Sequence, residues 1–264
     1  RPWTNPFHRT HRKLLVVDGR VASLGGINLA AEFSETFAGR HAWRDVGVWL
    51  DGPAAWRLRR QFDLAWTANG GAPGPALAVP AGGGVLCALA GPRSAGANQA
   101  AAYLALVASA RHELLLATPY FLPDRRLRAE LVRASRRGVR VTVVVPRRND
   151  IWWFKHGSRQ HYRELLAAGV AIWERCDRMV HAKVAVADAA VAAVGSTNLN
   201  RLSFYGNSET LLLTAARPVV AELRALIADE SLAAAERITE PGWGGHPDRR
   251  PLAELLASPA ALLL

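Results

Sequence analysis

Cysteine, which crosslinks small domains through disulfides, is scarce in this sequence of 264 residues. The sequence contains two cysteines, Cys87 and Cys176. The two cysteines do not have the spacing of metal ligands, which argues against a disulfide framework and against a zinc cluster. A reducing compartment fits this composition best.

Long apolar runs are also missing. No uninterrupted run approaches the roughly 18 to 20 residues that a membrane-spanning helix needs, and no signal peptide precedes residue 11. We therefore expect these residues to be soluble or peripheral to a membrane. The chain is long enough, and apolar enough at 50% hydrophobic residues, to build a substantial core.

Acidic residues are outnumbered. The 33 lysines and arginines against 22 aspartates and glutamates give a formal charge of +11. Such an excess predicts an anionic partner, which could be nucleic acid, a phospholipid surface or a phosphorylated substrate. The charge alone does not choose among these three.

The sequence does contain a duplicated motif. His11, Lys13 and Asp18 form a His-x-Lys-x4-Asp pattern, and His181, Lys183 and Asp188 repeat it 170 positions later. The same offset relates Gly25 to Gly195, Asn28 to Asn198 and Leu29 to Leu199. One constant offset over all these positions indicates an internal duplication.

Around the first motif the pattern predicts a β-hairpin, with strands at 14–17 and 21–24 joined by Asp18-Gly19. Residues two apart on a strand share a face, so His11 and Lys13 can share a pocket, whereas Asp18 lies in the turn. Asn28 is either a pocket residue or the N-cap of a helix starting near Leu29.

The rest of the first half predicts a strand over 43–50 and a helix over 53–66, in which Trp56, Phe62 and Trp66 are expected in the core. Residues 69–84 are rich in glycine and proline and predict a linker. We therefore divide the chain into residues 1–75, the C-terminal part of a first half, and residues 76–264, a second half with C-terminal helices.

Strands and helices alternate in the second half, which predicts an α/β fold with a mainly parallel or mixed sheet covered by helices. Strands are expected at 85–89, 113–117, 139–145 and 170–173, and helices at 98–110, 124–137, 159–168 and 219–235. About one hundred residues of this scaffold precede the second motif, but ten precede the first. We expect the first half to be truncated at its N-terminus.

If the halves pack about a pseudo-twofold axis, the two motifs face each other. Two lysines and two asparagine amides then surround one phosphate, which needs several charge-assisted donors: Lys13, Lys183, Asn28 and Asn198. Two histidines on opposite sides can act as nucleophile and as general acid and base, and no metal or other cofactor is required. A carboxylate commonly orients such a histidine, and the candidates are Asp45 and Glu209.

These motifs resemble the phospholipase D superfamily. Finer features, such as Gly25-Gly26-Ile27-Asn28-Leu29-Ala30 and Thr118-Pro119-Tyr120-Phe121-Leu122-Pro123, resemble its bacterial cardiolipin synthase branch, and the likeness covers most of residues 5–215. The resemblance implies two pseudo-twofold related halves around one site. It also implies a phosphohistidine intermediate, with His11 as nucleophile and His181 as general acid and base.

The resemblance implies further that the motif residues His11, Lys13, Asp18, His181, Lys183 and Asp188 belong to the site, although the Asp of each motif is usually structural in that family. The implied activity is transfer of a phosphatidyl group from phosphatidylglycerol to make cardiolipin, at the cytoplasmic face of the bacterial cell membrane. The alternatives are a phosphodiesterase or nuclease that uses water as acceptor, and an inactive lipid-binding fragment.

Two surface features bear on the partner. Six arginines on the helix at 124–137 form either a solvated face or a dock for an anionic membrane. Trp152-Trp153-Phe154-Lys155, expected in a loop, either dips into a lipid interface or packs under the next helix. Nucleic acid is a less favoured partner, because these aromatics cluster together and are not interleaved with base-reading loops.

Overall fold

The computed structural model of the chain describes residues 9–72, 74–75, 86–89 and 96–239. The first half forms an antiparallel sheet of three strands in sequential order: β1 (Leu14–Val17), β2 (Val21–Gly25) and β3 (Gly47–Asp51). Between β2 and β3 the chain runs through 3-10 turns at Ala31–Phe33 and Gly39–His41 and the short helix α1 (Glu35–Ala38). Helix α2 (Gly52–Ala68) follows β3.

The second half contributes a mixed sheet, in which eight strands are described. They are β4 (Leu86–Leu89), β5 (Glu113–Ala117), β6 (Arg140–Pro146), β7 (Ala171–Arg175), β8 (Val184–Ala187), β9 (Val191–Gly195), β10 (Thr210–Thr214) and β11 (Ala235–Ile238). Their order is β11-β7-β6-β5-β8-β9-β10-β4. The mixed sheet that the sequence predicts is confirmed, but its parallel part is limited to β5, β6 and β7.

Five helices accompany this sheet: α3 (Gly96–Ser109), α4 (Arg125–Arg136), α5 (Trp152–Arg159), α6 (Tyr162–Ala167) and α7 (Arg217–Ala225). The start of α4 has a clear local cause, because the Asp124 side chain accepts the N–H of Leu127 at 2.8 Å and caps the helix. Its buried residues Leu127, Leu131 and Ala134 recur at helical spacing and face the sheet.

The large sheet is covered on both faces. On one face a core formed with α3, α4 and α6 includes Tyr103, Leu131 and Leu165. On the other face the small sheet and α2 pack against it, and Leu24 and Leu58 share a core with residues of the second half. Burying such side chains stabilises the fold by about 1.5 to 3 kcal/mol each, so the two halves are joined by a common core.

Several sequence predictions are wrong in detail. Residues 152–155 begin helix α5 and do not lie in a loop. Phe62 and Trp66 are 44% and 53% exposed, whereas Ala54, Ala55 and Leu58, in the first half of α2, are buried. The two aromatics follow Leu58 at four-residue spacing on the same face of the helix, where they stack on each other with centroids 6.1 Å apart.

The C-terminal helix ends earlier than its apolar pattern predicts. After α7 the chain widens into a π-helical turn at Leu226–Ser231 and then adds the edge strand β11. The tail after residue 239, most of the predicted linker, and His8 lie outside the described residues. The division into residues 1–75 and 76–264 stays a prediction. No helix of the described ranges has the length and apolar character of a membrane span.

Candidate active site

The two motifs fold into hairpins with the same register. Val17 pairs with Val21 in the first, and Ala187 pairs with Val191, 170 positions on, in the second. Both turns place their aspartate in the left-handed region, with φ of 52° at Asp18 and 53° at Asp188. The internal duplication inferred from the sequence is therefore visible in the backbone.

The constant offset of 170 positions between the two halves does not extend to the orienting carboxylates, Asp45 and Glu209. A Cβ on Gly25 would lie 2.3 Å from the carbonyl oxygen of Val46, and a Cβ on Gly195 would lie 2.0 Å from that of Thr210. Only glycine permits this close approach. Val46 and Thr210 are thus equivalent, and so are the residues before them, Asp45 and Glu209. The offset is six residues shorter there because the connection that contains α1 is longer.

Backbone hydrogen bonds connect the two halves at the start of each motif. The N–H of His11 donates to the carbonyl of Ser208 at 2.8 Å, and the N–H of His181 donates to the carbonyl of Arg44 at 2.7 Å. Each pair forms part of a short parallel bridge, since Thr10 pairs with Ser208 and Arg44 with Val180. Each histidine therefore lies next to the segment that carries the carboxylate of the other half, because Ser208 precedes Glu209 and Arg44 precedes Asp45.

The side chains of the histidines also pair with carboxylates of the opposite half. His11 Nδ1 lies 2.8 Å from Glu209 Oε2, and His181 Nδ1 lies 2.6 Å from Asp45 Oδ2. Glu209 is fully buried and also accepts the hydroxyl of Ser196 at 2.6 Å. Asp45 accepts the N–H of Val46 at 2.7 Å. Neither half contains a complete histidine and carboxylate pair of its own, and each supplies the partner for the other.

With Nδ1 of each histidine turned to a carboxylate, Nε2 is the nitrogen left for chemistry. Lys13 Nζ donates to the carbonyl of His11 at 2.9 Å, and Lys183 Nζ donates to the carbonyl of His181. Lys183 Nζ also lies 2.7 Å from Nδ1 and 3.2 Å from Nε2 of His181, and 3.7 Å from Asp45 Oδ2. An Nδ1 that donates its proton to Asp45 cannot also accept one from Lys183, so the acceptors open to the lysine are the carbonyl oxygen and Nε2 of His181.

The charges of this cluster act on one another. Burial lowers the pKa of His181 to about 4; the hydrogen bond to Asp45 opposes this change, and the positive charges of Lys183 and Lys13 assist it. Burial likewise lowers the pKa of Lys183 to about 8, opposed by Asp45. Lys13, from the first half, is thus close enough to lower the pKa values of both second-half residues.

Three aromatic rings surround His181, and sequence reasoning did not assign them to the site. Phe33 and Tyr120 meet the imidazole edge to face at 5.1 and 6.1 Å, and the Trp43 ring lies 5.2 Å from it. This apolar collar explains the burial of the ring. Tyr120 belongs to the Thr118–Pro123 segment that resembles the cardiolipin synthases, which is the signal that could have identified it.

The two predicted asparagines differ in their surroundings. Asn198 is 4% exposed, and its Oδ1 is buried without a hydrogen-bond partner in the part of the chain that the structure describes. Asn28 is half-buried. The helical turn after it begins at Ala31 with Ala30 as N-cap, so the N-cap alternative for Asn28 is wrong. Its assignment to the phosphate site stays a prediction.

The motif aspartates lie at the far end of the hairpins from the histidines. The Asp188 carboxylate accepts the backbone N–H groups of Arg111, His112 and Glu113 at 2.8, 2.7 and 2.9 Å. Five strand positions separate it from Lys183, roughly 16 Å. Asp188 therefore holds the start of β5, and Asp18 is exposed in the corresponding turn. Their grouping with the catalytic residues does not fit this placement.

The sequence of this chain is similar to the sequences of known proteins. Residues 103–229 match the family model described as "Cardiolipin synthase, PLD-like domain". A cardiolipin synthase of Alkalihalophilus pseudofirmus is 31% identical over 210 residues, which cover 76% of this chain and 42% of the relative. Cardiolipin synthase A of Pseudomonas putida is 34% identical over 256 residues, 93% of this chain and 53% of the relative. The chain spans about half the length of these relatives.

The fold is also similar to that of a solved structure. The phosphatidylserine synthase of Haemophilus influenzae superimposes with a TM-score of 0.62 at 15% sequence identity, over 97% of this chain and 69% of that one. At this identity the likeness concerns the fold. It covers both halves of the chain.

Proposed function

Because this chain belongs to the phospholipase D superfamily, we propose that it is a phosphatidyltransferase that makes cardiolipin from phosphatidylglycerol. The observation that carries the proposal is that each half supplies the carboxylate that pairs with the histidine of the other half. Each of the two histidines lies beside the carboxylate of the other half, at 2.8 and 2.6 Å, and the charge of Lys13 acts on both His181 and Lys183. This arrangement suits displacement at a phosphodiester by one imidazole while the other moves a proton.

In the proposed first step Nε2 of His11 attacks the phosphorus of phosphatidylglycerol. The bond from phosphorus to the glycerol headgroup oxygen breaks, and His181 gives its proton to that oxygen. In the second step the hydroxyl of an acceptor phosphatidylglycerol loses its proton to His181 and attacks the phosphorus. The bond from phosphorus to His11 then breaks, cardiolipin leaves, and both histidines return to their initial states.

Lys13, Lys183, Asn28 and Asn198 are proposed to hold the non-bridging phosphate oxygens. Ammonium and amide donors stabilise the negative charge that develops in displacement at phosphorus. The buried and unpartnered Oδ1 of Asn198 supports its position in this site, because a buried amide generally needs a partner. Glu209 and Asp45 keep the two rings in the tautomer that leaves Nε2 free.

The charge of His181 bears on the order of the two histidines. Its pKa of about 4 leaves it neutral at pH 7 in the substrate-free chain, and it must gain a proton before it can act as an acid. The negative charge of a bound phosphodiester raises the pKa of a neighbouring imidazole. The proposed order therefore requires proton uptake on substrate binding, whereas the reverse order would use the neutral His181 as it stands.

The substrates of such a reaction lie in a membrane, and we propose that the chain works at an anionic bilayer surface on its cytoplasmic face. Trp152 and Trp153, 54% and 38% exposed, begin α5 and form an aromatic edge of the kind favoured at lipid interfaces. Exposed arginines of α4 supply positive charge. The formal charge of +11 is consistent with both features.

The test is intact-mass spectrometry of the chain quenched without acid during incubation with phosphatidylglycerol, in wild type, His11→Ala and His181→Ala. A phosphatidyl adduct that is lost in His11→Ala but kept in His181→Ala supports the proposed order. The opposite pattern assigns the nucleophile to His181. Cleavage of lipid or DNA without transfer would instead indicate a hydrolase, and liposome binding without any adduct an inactive lipid-binding chain.

A further inference from the structure

A cavity lies beside Trp43, one of the three aromatic residues around His181. It has a volume of about 310 Å³ and is lined by residues of three connections, after α1, after β6 and after β7. Trp43 forms part of its wall, and the same ring lies 5.2 Å from the His181 ring. Met179, two residues before His181, also lines it. Trp43 therefore contacts both the cavity and the His181 ring.

The cavity carries an excess of positive charge. Three arginines line it: Arg148, Arg175 and Arg178. The facing carboxylates are those of Asp150 and Asp177. Their negative charges offset only two of the three guanidinium groups. We call this site the arginine cavity.

The carboxylates are already engaged with their neighbours. Arg175 donates to both oxygens of Asp177 at 2.6 and 3.0 Å, and Arg178 Nε donates to it at 3.3 Å. Burial would raise the pKa of Asp177, but the hydrogen bond from Arg175 outweighs it and the pKa is lowered. The Tyr120 hydroxyl donates to Asp150 at 2.9 Å. Two arginines thus share one carboxylate, with a longer contact of 3.9 Å from Arg178 to Glu35.

Arg175 has unused hydrogen-bonding capacity. It is 7% exposed, yet its Nη1 is buried without a hydrogen-bond partner among the described residues. Arg148 lines the cavity and is exposed. Its guanidinium group is therefore accessible to a ligand, and guanidinium groups match the oxygens of a phosphate.

The location of the cavity agrees with this chemistry. It lies past the carboxyl ends of the neighbouring parallel strands β6 and β7, the end of an open α/β sheet at which ligands commonly bind. A volume of about 310 Å³ is at the lower end of the range for small-molecule sites, which begins at roughly 300 Å³.

We propose that the arginine cavity binds the phosphate of the acceptor, a glycerophosphate ester whose terminal hydroxyl enters the reaction site past Trp43. This inference rests on the proposed function, since the reaction involves two phosphates. The donor phosphate becomes attached to histidine, and the acceptor phosphate stays three carbons away from the attacking hydroxyl. The hydroxyl oxygen bonds to phosphorus, the bond to His11 breaks, and His181 takes the proton.

The test compares two acceptors that share a primary hydroxyl. Phosphatidylglycerol carries the phosphate and glycerol does not. In mixed micelles, Arg148→Gln and Arg178→Gln should each lower the preference for phosphatidylglycerol over glycerol about tenfold, and together up to about a hundredfold. Adduct formation from the donor should stay unchanged. Arg60→Gln, which removes an equal charge from the exposed surface of α2, is the matched control.

Equal losses with both acceptors, or the same loss in Arg60→Gln, would overturn the proposal. Soluble glycerol 3-phosphate serves as a third acceptor. If its use falls in parallel with that of phosphatidylglycerol, the cavity accepts any glycerophosphate; if only the lipid is affected, the site is specific for the lipid phosphate. Either result supports the cavity as the acceptor phosphate site.

A binding measurement separates this inference from the proposed reaction. If wild type forms no phosphatidyl product with any acceptor, the proposed function fails. Calorimetry with glycerol 3-phosphate then still tests the cavity: we expect binding that weakens about tenfold or more in the Arg148→Gln/Arg178→Gln variant and persists in His11→Ala and Arg60→Gln. Binding that is unchanged in the arginine variant contradicts the inference.

Discussion

The two hairpins of this chain share a sequence pattern and a backbone, but they differ in how they are supported. In β8 every residue is buried, whereas in β1 Leu15 and Val17 are 53% and 47% exposed. The reason lies in the neighbouring strand. β8 is paired on both edges, with β5 and β9, while β1 pairs with β2 alone within the described residues.

The same contrast separates the two lysines and the two turns. Lys183 is 1% exposed, and Lys13 is only partly buried. The Asp188 carboxylate accepts three backbone N–H groups at the start of β5, and the next residue, Ala189, adopts a φ of 50°. In the first turn Gly19 occupies that position. A duplicated motif can therefore keep its reactive groups while its structural supports diverge.

The largest expected effect concerns the two pairs of histidine and carboxylate that form between the halves. Asp45→Asn should disable His181, and Glu209→Gln should disable His11, each lowering the transfer rate by about 10³- to 10⁴-fold, as when a catalytic histidine loses its orienting carboxylate. Nuclear magnetic resonance of the histidine Nδ1 protons tests whether each histidine pairs with the carboxylate of the other half. The His181 signal should shift in Asp45→Asn and stay in place in Glu209→Gln. Pairing within each half predicts the reverse.

The next effect concerns the buried histidine of the second motif. A pKa lowered from 6.5 to about 4 corresponds to about 3 kcal/mol of stability. Because the unfolded chain binds the proton more readily, this stability is present above pH 6.5 and is lost as the pH falls toward 4. A titration of the ring followed by nuclear magnetic resonance should have its midpoint near pH 4. A midpoint at or above 6.5 contradicts the assignment.

A smaller difference should separate the two motif aspartates. Asp188→Ala leaves three backbone N–H groups without their acceptor, and we expect it to lower the free energy of unfolding by about 1 to 3 kcal/mol. Asp18→Ala at the exposed turn should change it by less than about 0.5 kcal/mol. Denaturant unfolding at pH 7 measures both. Equal losses would show that Asp18 has a comparable structural partner.

The smallest effect concerns the position after each aspartate. Ala189 has a positive φ, so Ala189→Gly should stabilise the chain by about 1 kcal/mol. Gly19→Ala, at a φ of 64°, should destabilise it by a similar amount. Thermal unfolding of the two variants provides the comparison. A loss of stability in Ala189→Gly would indicate that the alanine methyl group makes a contact worth more than the strain.

Much of the fold could be predicted from local pattern. The Asp18-Gly19 turn and the helix that begins at Arg125 depend on backbone preferences of a few residues, and the turn and the start of the helix lie where the sequence predicts them, within one residue. The exposure of Phe62 and Trp66 could not be predicted in this way. Hydrophobic spacing indicates that a helix has an apolar face, but the shape of the neighbouring sheet decides which residues of that face are buried.

The sequence by itself determined which residues could form the site, because the constant offset of 170 identified the histidines, lysines and asparagines without any structure. Only the tertiary structure decided which carboxylate serves which histidine. His11 and Glu209 are 198 positions apart, and His181 and Asp45 are 136 apart. Pairing over such distances depends on how two sheets pack through a shared core, and no local spacing records that packing. The arginine cavity has the same origin, since three connections distant in sequence meet beside Trp43.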